Sequence, residues 1–143
     1  MEKYLEALVA NVSAKSATFA ERIQLSVPSI ICEVGQYPNE AFLLRSFVSL
    51  RADNNGDELA LTVDITRPTN DTISVESDVS MDNGTIIATG PAIELSTANP
   101  DAAEAALLWS RKFDEFLDKS TPALVQVLSD MVASQENSVR KPT

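Results

Sequence analysis

The chain has 143 residues, of which 44% are apolar, and a formal net charge of −10. One ordinary domain fits this length, and the apolar fraction is sufficient for a hydrophobic core. The negative charge repels phosphate backbones and anionic membrane surfaces, so it argues against nucleic-acid and membrane partners and favours partners with a basic face.

Residue types that usually carry out catalysis are scarce. The chain has no histidine and one cysteine, Cys32, which excludes histidine-dependent catalysis, an intramolecular disulfide and the usual zinc sites. Its four glycines lie too far apart for a phosphate-binding loop, so we expect no cofactor and no enzyme activity. No apolar run approaches the ~20 residues of a membrane span, and the first residues form an amphipathic pattern, so we expect a cytoplasmic protein.

The clearest predicted element is an amphipathic helix from Glu2 to Gln24. Apolar residues recur along it at helical spacing. They are Leu5, Leu8, Val9, Val12, Phe19, Ala20 and Ile23. Pro28 ends the helix, because the residue before a proline avoids the helical conformation.

Residues 29–44 give a mixed signal. Ile30 to Val34 could form a short buried strand, which Gly35 and Pro38 would end. The following apolar run, from Ala41 to Leu44, is compatible with a turn of helix or with the start of the next strand. The sequence leaves both interpretations open.

The middle of the chain predicts an antiparallel meander. Strands are expected at residues 47–52, 58–66, 72–80 and 85–95. The second and third of these alternate apolar and polar residues, so one face of the sheet should pack on helices. Asn83-Gly84 predicts a type I′ turn, and Gly90-Pro91 predicts a bulge or an edge position inside the last strand.

The last third of the chain predicts one kinked helix or two helices. Asn99-Pro100-Asp101 is typical of a helix start, and Ser120-Thr121-Pro122 repeats that signal. Together these elements predict a single α+β domain over residues 1–134. The sheet should have four or five antiparallel strands, with the helices on one face. The polar residues 135–143 predict a flexible tail.

One turn of the meander is rich in possible calcium ligands. Asp53, Asn55, Asp57 and Glu58 supply oxygen atoms, which calcium prefers. An EF-hand loop requires glycine at its sixth position and glutamate at its twelfth, whereas Gly56 and Asp64 fall at the fourth and twelfth positions counted from Asp53. A polar hairpin turn is therefore favoured over a calcium site.

Two other features suggest a partner-binding surface. The outward face of the middle strands should bring Asp64, Glu76 and Asp78 near one another, as a solvated acidic face or as a docking surface for a basic segment. Leu107 and Leu108 lie off the apolar stripe of their helix. We expect them to be covered by residues 29–44 of this chain or by another subunit.

The small size, the acidic charge and the order of helix, twisted antiparallel sheet and closing helix loosely resemble the type III secretion chaperones. That resemblance implies an acidic dimer that holds extended segments of a partner. Those chaperones usually have a helix between their third and fourth strands, whereas Thr66 to Asp71 is too short for one. Small acidic bacterial immunity proteins fit the same general description.

The sequence therefore favours a non-enzymatic protein-binding module of the chaperone, adaptor or immunity type, and a homodimer is one form it would take. A calcium-binding protein is the first alternative, and a small enzyme that depends on carboxylates is the second.

Overall fold

The structure, a computed structural model, describes residues 3–39, 42–52, 57–96, 98 and 100–140. The described chain is an α+β fold with a helix at each end and an open antiparallel sheet between them. The elements are α1 (Lys3–Ser26), β1 (Ile31–Asn39), β2 (Phe42–Arg51), β3 (Glu58–Thr69), β4 (Thr72–Met81), β5 (Ile86–Thr89), β6 (Ile93–Ser96) and α2 (Ala102–Arg140). Among these residues, no helix is long and apolar enough to span a membrane.

The sheet has the order β1-β2-β3-β4-β5, and every pair of neighbours is antiparallel. Strand β6 also pairs with β4, next to β5 on the same edge, so β5 and β6 are two halves of one interrupted strand. The break falls at Gly90-Pro91, where the sequence predicted a bulge or an edge position. A meander of this kind needs only short hairpin connections, because each strand pairs with its predecessor.

Residues 29–44, for which the sequence left strand and helix open, belong to strands wherever the structure describes them beyond Ile30. Strand β1 pairs with β2 from Ile31 opposite Arg51 to Asn39 opposite Phe42. The partner strand decides the conformation here, because pairing satisfies backbone groups that a short apolar run cannot satisfy by itself.

Alternation along β3 and β4 separates the two faces of the sheet. The inward side chains are buried from Leu59 to Ile65 on β3 and from Ile73 to Val79 on β4, and they face the core that the buried residues of α1 and α2 share. They are Leu59, Leu61, Val63, Ile65, Ile73, Val75, Ser77 and Val79. Both helices therefore cover the same face, which we call the inner face; the opposite face is the outer face.

The helices α1 and α2 lie side by side and run in the same direction. Ion pairs join Lys15 to Asp114 and Arg22 to Asp118, so positions along α1 and α2 advance together. Val12, Phe19 and Ile23 on α1 face the core, and each has at most 1% of its surface exposed. This confirms the amphipathic stripe predicted from the sequence.

Helix α2 continues through Pro122 without a break, so the alternative of two separate helices was wrong. A proline inside a helix costs about 3 kcal/mol, because it removes one backbone hydrogen bond and crowds the preceding turn. Buried residues on both sides of it, Leu117 and Leu124, stay in phase on the core. The Thr121 hydroxyl donates a hydrogen bond of 2.6 Å to the Leu117 carbonyl. The helix extends to Arg140, and so includes the first residues of the expected tail.

The hairpin between β4 and β5 differs from the predicted type I′ turn. That turn needs positive φ at two residues, whereas only Gly84 has it here, with φ of 90°. The Gly84 amide donates to the Met81 carbonyl at 2.9 Å, and the Met81 amide donates to the Thr85 carbonyl at 2.8 Å. These bonds indicate a three-residue loop with glycine at its left-handed position.

The interrupted strand is fixed to the core by one backbone carbonyl. The Pro91 carbonyl accepts hydrogen bonds from Trp109 Nε1 at 2.9 Å and from the Ser77 hydroxyl at 3.1 Å. Trp109 is 1% exposed, so this bond satisfies the indole N–H inside the core. Gly90 lies so close that a Cβ there would overlap the Ser77 hydroxyl and stand 3.0 Å from the Phe116 ring.

We predict that Gly90→Ala destabilises the protein by about 1–3 kcal/mol, the usual cost of an overpacked site. Equilibrium unfolding in urea measures the loss. Ser77→Ala should rescue part of it, because removing the hydroxyl makes room for the new methyl group. A Gly90→Ala variant as stable as the native chain would contradict this packing.

Candidate functional site

The outer face of the sheet is the first candidate surface. It is built from every second residue of each strand, and no described element packs over it. Hydroxyl-bearing and small side chains occupy much of it, among them the partly exposed Ala60, Thr62 and Ser80. Such residues keep the face flat and leave the few large side chains prominent.

The register of the strands brings the predicted acidic residues together. Glu76 lies directly opposite Asp64, and Asp78 lies opposite Thr62, two residues further along β4 on the same face. Glu94 on β6 extends the group, because its partner Ser74 is two residues from Glu76. Glu94 could not be foreseen from the sequence, since its position depends on the register of the last strand.

Asp64 differs from the other acidic residues because it has a cation of its own. Arg45, directly opposite on β2, donates from Nε to Asp64 Oδ1 at 2.6 Å and from Nη2 to Oδ2 at 2.9 Å. This two-pronged geometry is the strongest arrangement of guanidinium and carboxylate. It raises the pKa of Arg45, mainly through the hydrogen bond to Asp64. Sequence reasoning missed Arg45, because β2 had been traced only from residue 47.

Asp78 lies on the same face without an ion pair of its own among the described residues. Partial burial raises its pKa, and the negative charge of Asp64 raises it further. Arg45 and a hydrogen bond with Ser80 act in the opposite direction but are weaker. The ionised form of Asp78 is thus held at a cost that a cationic partner would relieve.

The other end of the outer face, on β1 and β2, is aromatic and cationic. The rings of Tyr37 and Phe47 are tilted against each other with centroids 6.0 Å apart. Phe47 covers Gly35, its partner on β1, where a Cβ would stand 2.5 Å from the ring. Arg45 Nη1 donates to the Tyr37 hydroxyl at 3.3 Å, which connects the aromatic end to the acidic one.

Leu107 and Leu108 lie on a different surface. They are on α2, 52% and 51% exposed, and belong to the helical layer that covers the inner face of the sheet. The structure therefore does not bring them together with Asp64, Glu76 and Asp78. The described parts of residues 29–44 do not cover them, because this segment forms strands β1 and β2 of the sheet. Of the two alternatives, coverage by another subunit stays a prediction.

The carboxylate-rich turn falls partly outside the described residues, which do not include Asp53 and Asn55. Asp57 is exposed, and Glu58 lies opposite Arg51 at the start of β3. In the part of the chain that the structure describes, no group of three His, Cys, Asp or Glu residues could hold a metal ion. Calcium binding at this turn stays a prediction.

A shallow cleft between α1 and α2 also contains two carboxylates, Asp114 and Asp118. Lys15 faces the first and Arg22 faces the second. Such pairing is typical of a contact between two helices. The absence of enzyme activity stays a prediction from the sequence.

Comparisons of the chain with protein-family models, with curated proteins and with solved structures each found no match. They give no support to the resemblance to type III secretion chaperones. The hairpin between β3 and β4 also lacks the helix that those chaperones usually have between their third and fourth strands.

We predict that the carboxyl group of Asp78 titrates above the value of about 3.9 that is usual for aspartate. Asp64→Asn should lower this pKa, because it removes the neighbouring negative charge, and Arg45→Gln should raise it. Carbon-detected NMR titration measures the pKa in each variant. Glu115→Gln, an exposed position on α2, is the control and should leave it unchanged.

The raised pKa of Asp78 also determines how the stability of the protein depends on pH. A raised pKa in the folded state means that the folded protein holds this proton more tightly than the unfolded chain. Asp78→Asn should therefore stabilise the protein at pH 7, and its advantage should shrink as the pH falls through the folded pKa of Asp78. An advantage that stayed constant down to acid pH would contradict this assignment.

Proposed function

We propose that the protein is a non-enzymatic binding module whose outer sheet face receives a basic segment of another protein. The observation that carries the proposal is the unpaired acidic group on an otherwise uncovered face. We call Glu76, Asp78 and Glu94 the acidic group, because none of them has an ion pair among the described residues.

The arginines of the outer face are paired with carboxylates outside the acidic group. Arg45 is engaged by Asp64, and Arg51 Nη2 lies 3.5 Å from Glu33 Oε2. Like charges near one another across strands destabilise a sheet slightly, so a cation from outside would stabilise the acidic group. The net charge of −10 would also attract a basic partner over longer distances and speed the encounter.

The aromatic end of the outer face adds apolar contact surface for a partner. Tyr37 is 38% exposed and Phe47 is half-buried, so both present apolar surface to a partner. Tyrosine is common at the centres of protein interfaces, because it buries a large area at a small entropic cost. A segment with basic residues at one end and an apolar residue at the other would match both ends of the face.

A cytoplasmic location belongs to the same proposal. Cys32 is a free cysteine, and partial burial raises the pKa of its thiol. A thiol of this kind is unreactive and suits a reducing compartment. Chaperone, adaptor and immunity roles all use this kind of surface, and the partner would decide among them.

Site-specific photo-crosslinking tests the proposal. A photoreactive amino acid replaces Thr62, which lies between Phe47 and Asp78 on the outer face, and the protein is irradiated inside its own cells. We expect a crosslinked polypeptide. The yield of this adduct should fall when salt is added to gently lysed cells, because salt screens the electrostatic attraction. It should also fall in the triple variant Glu76→Gln/Asp78→Asn/Glu94→Gln, because the substitutions remove the negative charges.

The control places the same photoreactive residue at Glu115, on the exposed side of α2. The acidic-group variant should not alter any adduct formed there. If Thr62 gives no adduct, or gives one that the triple substitution leaves unchanged, the outer face is not the binding surface.

A further inference from the structure

Two adjacent large apolar side chains on α2 face solvent. Leu107 and Leu108 each expose about half of their surface, at 52% and 51%. A single exposed leucine would need no explanation, but a contiguous apolar patch often marks an interface.

A shallow groove adjoins this patch, between the first halves of α1 and α2. Leu8, Ala106 and Ser110 are buried along it, and the exposed residues Ala7, Ala103 and Leu107 form its rim. Alanines on the rim allow another helix to approach closely, and a leucine side chain is of a size to enter such a groove.

The charges around the patch have a symmetric pattern. Glu104 lies three residues before Leu107, and Arg111 lies three residues after Leu108. The two charges are therefore placed symmetrically about the pair of leucines. All four positions are exposed on α2, and no ion pair among the described residues uses Glu104, Arg111 or Lys112. A surface with this pattern is complementary to itself when turned by half a rotation.

We propose that this surface binds a second copy of the chain, with the two α2 helices antiparallel and the two-fold axis between Leu107 and Leu108. In that register Leu107 of each copy meets Leu108 of the other. Glu104 meets Arg111 of the other copy on both sides of the axis, about 5 Å from it along the helix at a rise of ~1.5 Å per residue.

Charge also favours a second copy over a basic partner at this surface. Two chains of net charge −10 repel each other, so they associate best where the local charge is balanced. Arg111 and Lys112 balance Glu104 and Glu115 around the leucines. A basic partner would gain no net electrostatic attraction from such a balanced patch. This dimer leaves the outer sheet face free, so the inference stands or falls independently of the proposed function.

Analytical ultracentrifugation over a range of concentrations tests the proposal. We expect a reversible dimer, and Leu107→Gln/Leu108→Gln should raise its dissociation constant at least about tenfold, since the buried apolar area is lost. The control is Leu25→Gln, at an apolar side chain that is 84% exposed near the end of α1. A native chain that stays monomeric, or a dimer that the double substitution leaves intact, would overturn the proposal.

Charge exchange and crosslinking then test the register. Glu104→Arg and Arg111→Glu should each weaken the dimer, and the variant carrying both should recover it, because the pairs re-form with opposite sign. In a Cys32→Ser background, Leu108→Cys should form a disulfide between copies under mild oxidation, whereas Glu115→Cys should not. Failure of the double exchange to restore the dimer, together with no disulfide at position 108, would overturn this arrangement.

Discussion

The contact between the inner face of the sheet and the two helices is the constraint on which the other features depend. Alternation along β3 and β4 places every second side chain in that contact, including Leu61 and Val63 at 1% exposure each. The same alternation sends Thr62 and Asp64 to the opposite side. Since both helices are used on one face, the chain keeps a wide sheet surface that no described element covers. The acidic group and the aromatic pair are consequences of this one-sided packing.

A second consequence concerns the helices. Helices α1 and α2 run in the same direction, and near their starts Leu8 on α1 and Ala106 on α2 are buried along a shallow groove. Their next turns are joined by ion pairs such as Arg22 with Asp118. Leu107 and Leu108 remain outside the core, because they lie off the buried stripe of α2. Two separate surfaces result, one on each side of the molecule. The chain could thus bind a partner and a second copy of itself without competition.

The parts of the fold that could be predicted depend on local patterns. The spacing of Leu8, Val12, Phe19 and Ile23 predicted α1, and the alternation in β3 and β4 predicted their buried faces. The parts that could not be predicted depend on distant partners. Residues 31–39 form strand β1 and not a helix because they pair with β2. Helix α2 continues through Pro122 because residues on both sides of the proline pack on the core. The ion pair of Arg45 with Asp64 needs the register of β2 on β3, which no short pattern contains. For that reason the acidic face was foreseen while its internal cation was not.

An open outer face is the claim most directly accessible to measurement, because it needs no knowledge of the partner. NMR relaxation by a soluble paramagnetic probe would report the solvent exposure of each methyl group in the isolated protein. We expect strong relaxation at Ala60 and Thr62 on the outer face and little at Leu61 and Val63, which alternate with them along β3. Protection of Ala60 and Thr62 equal to that of Leu61 would mean that another part of the chain, or a second copy, covers the outer face. That result would contradict the binding surface proposed here.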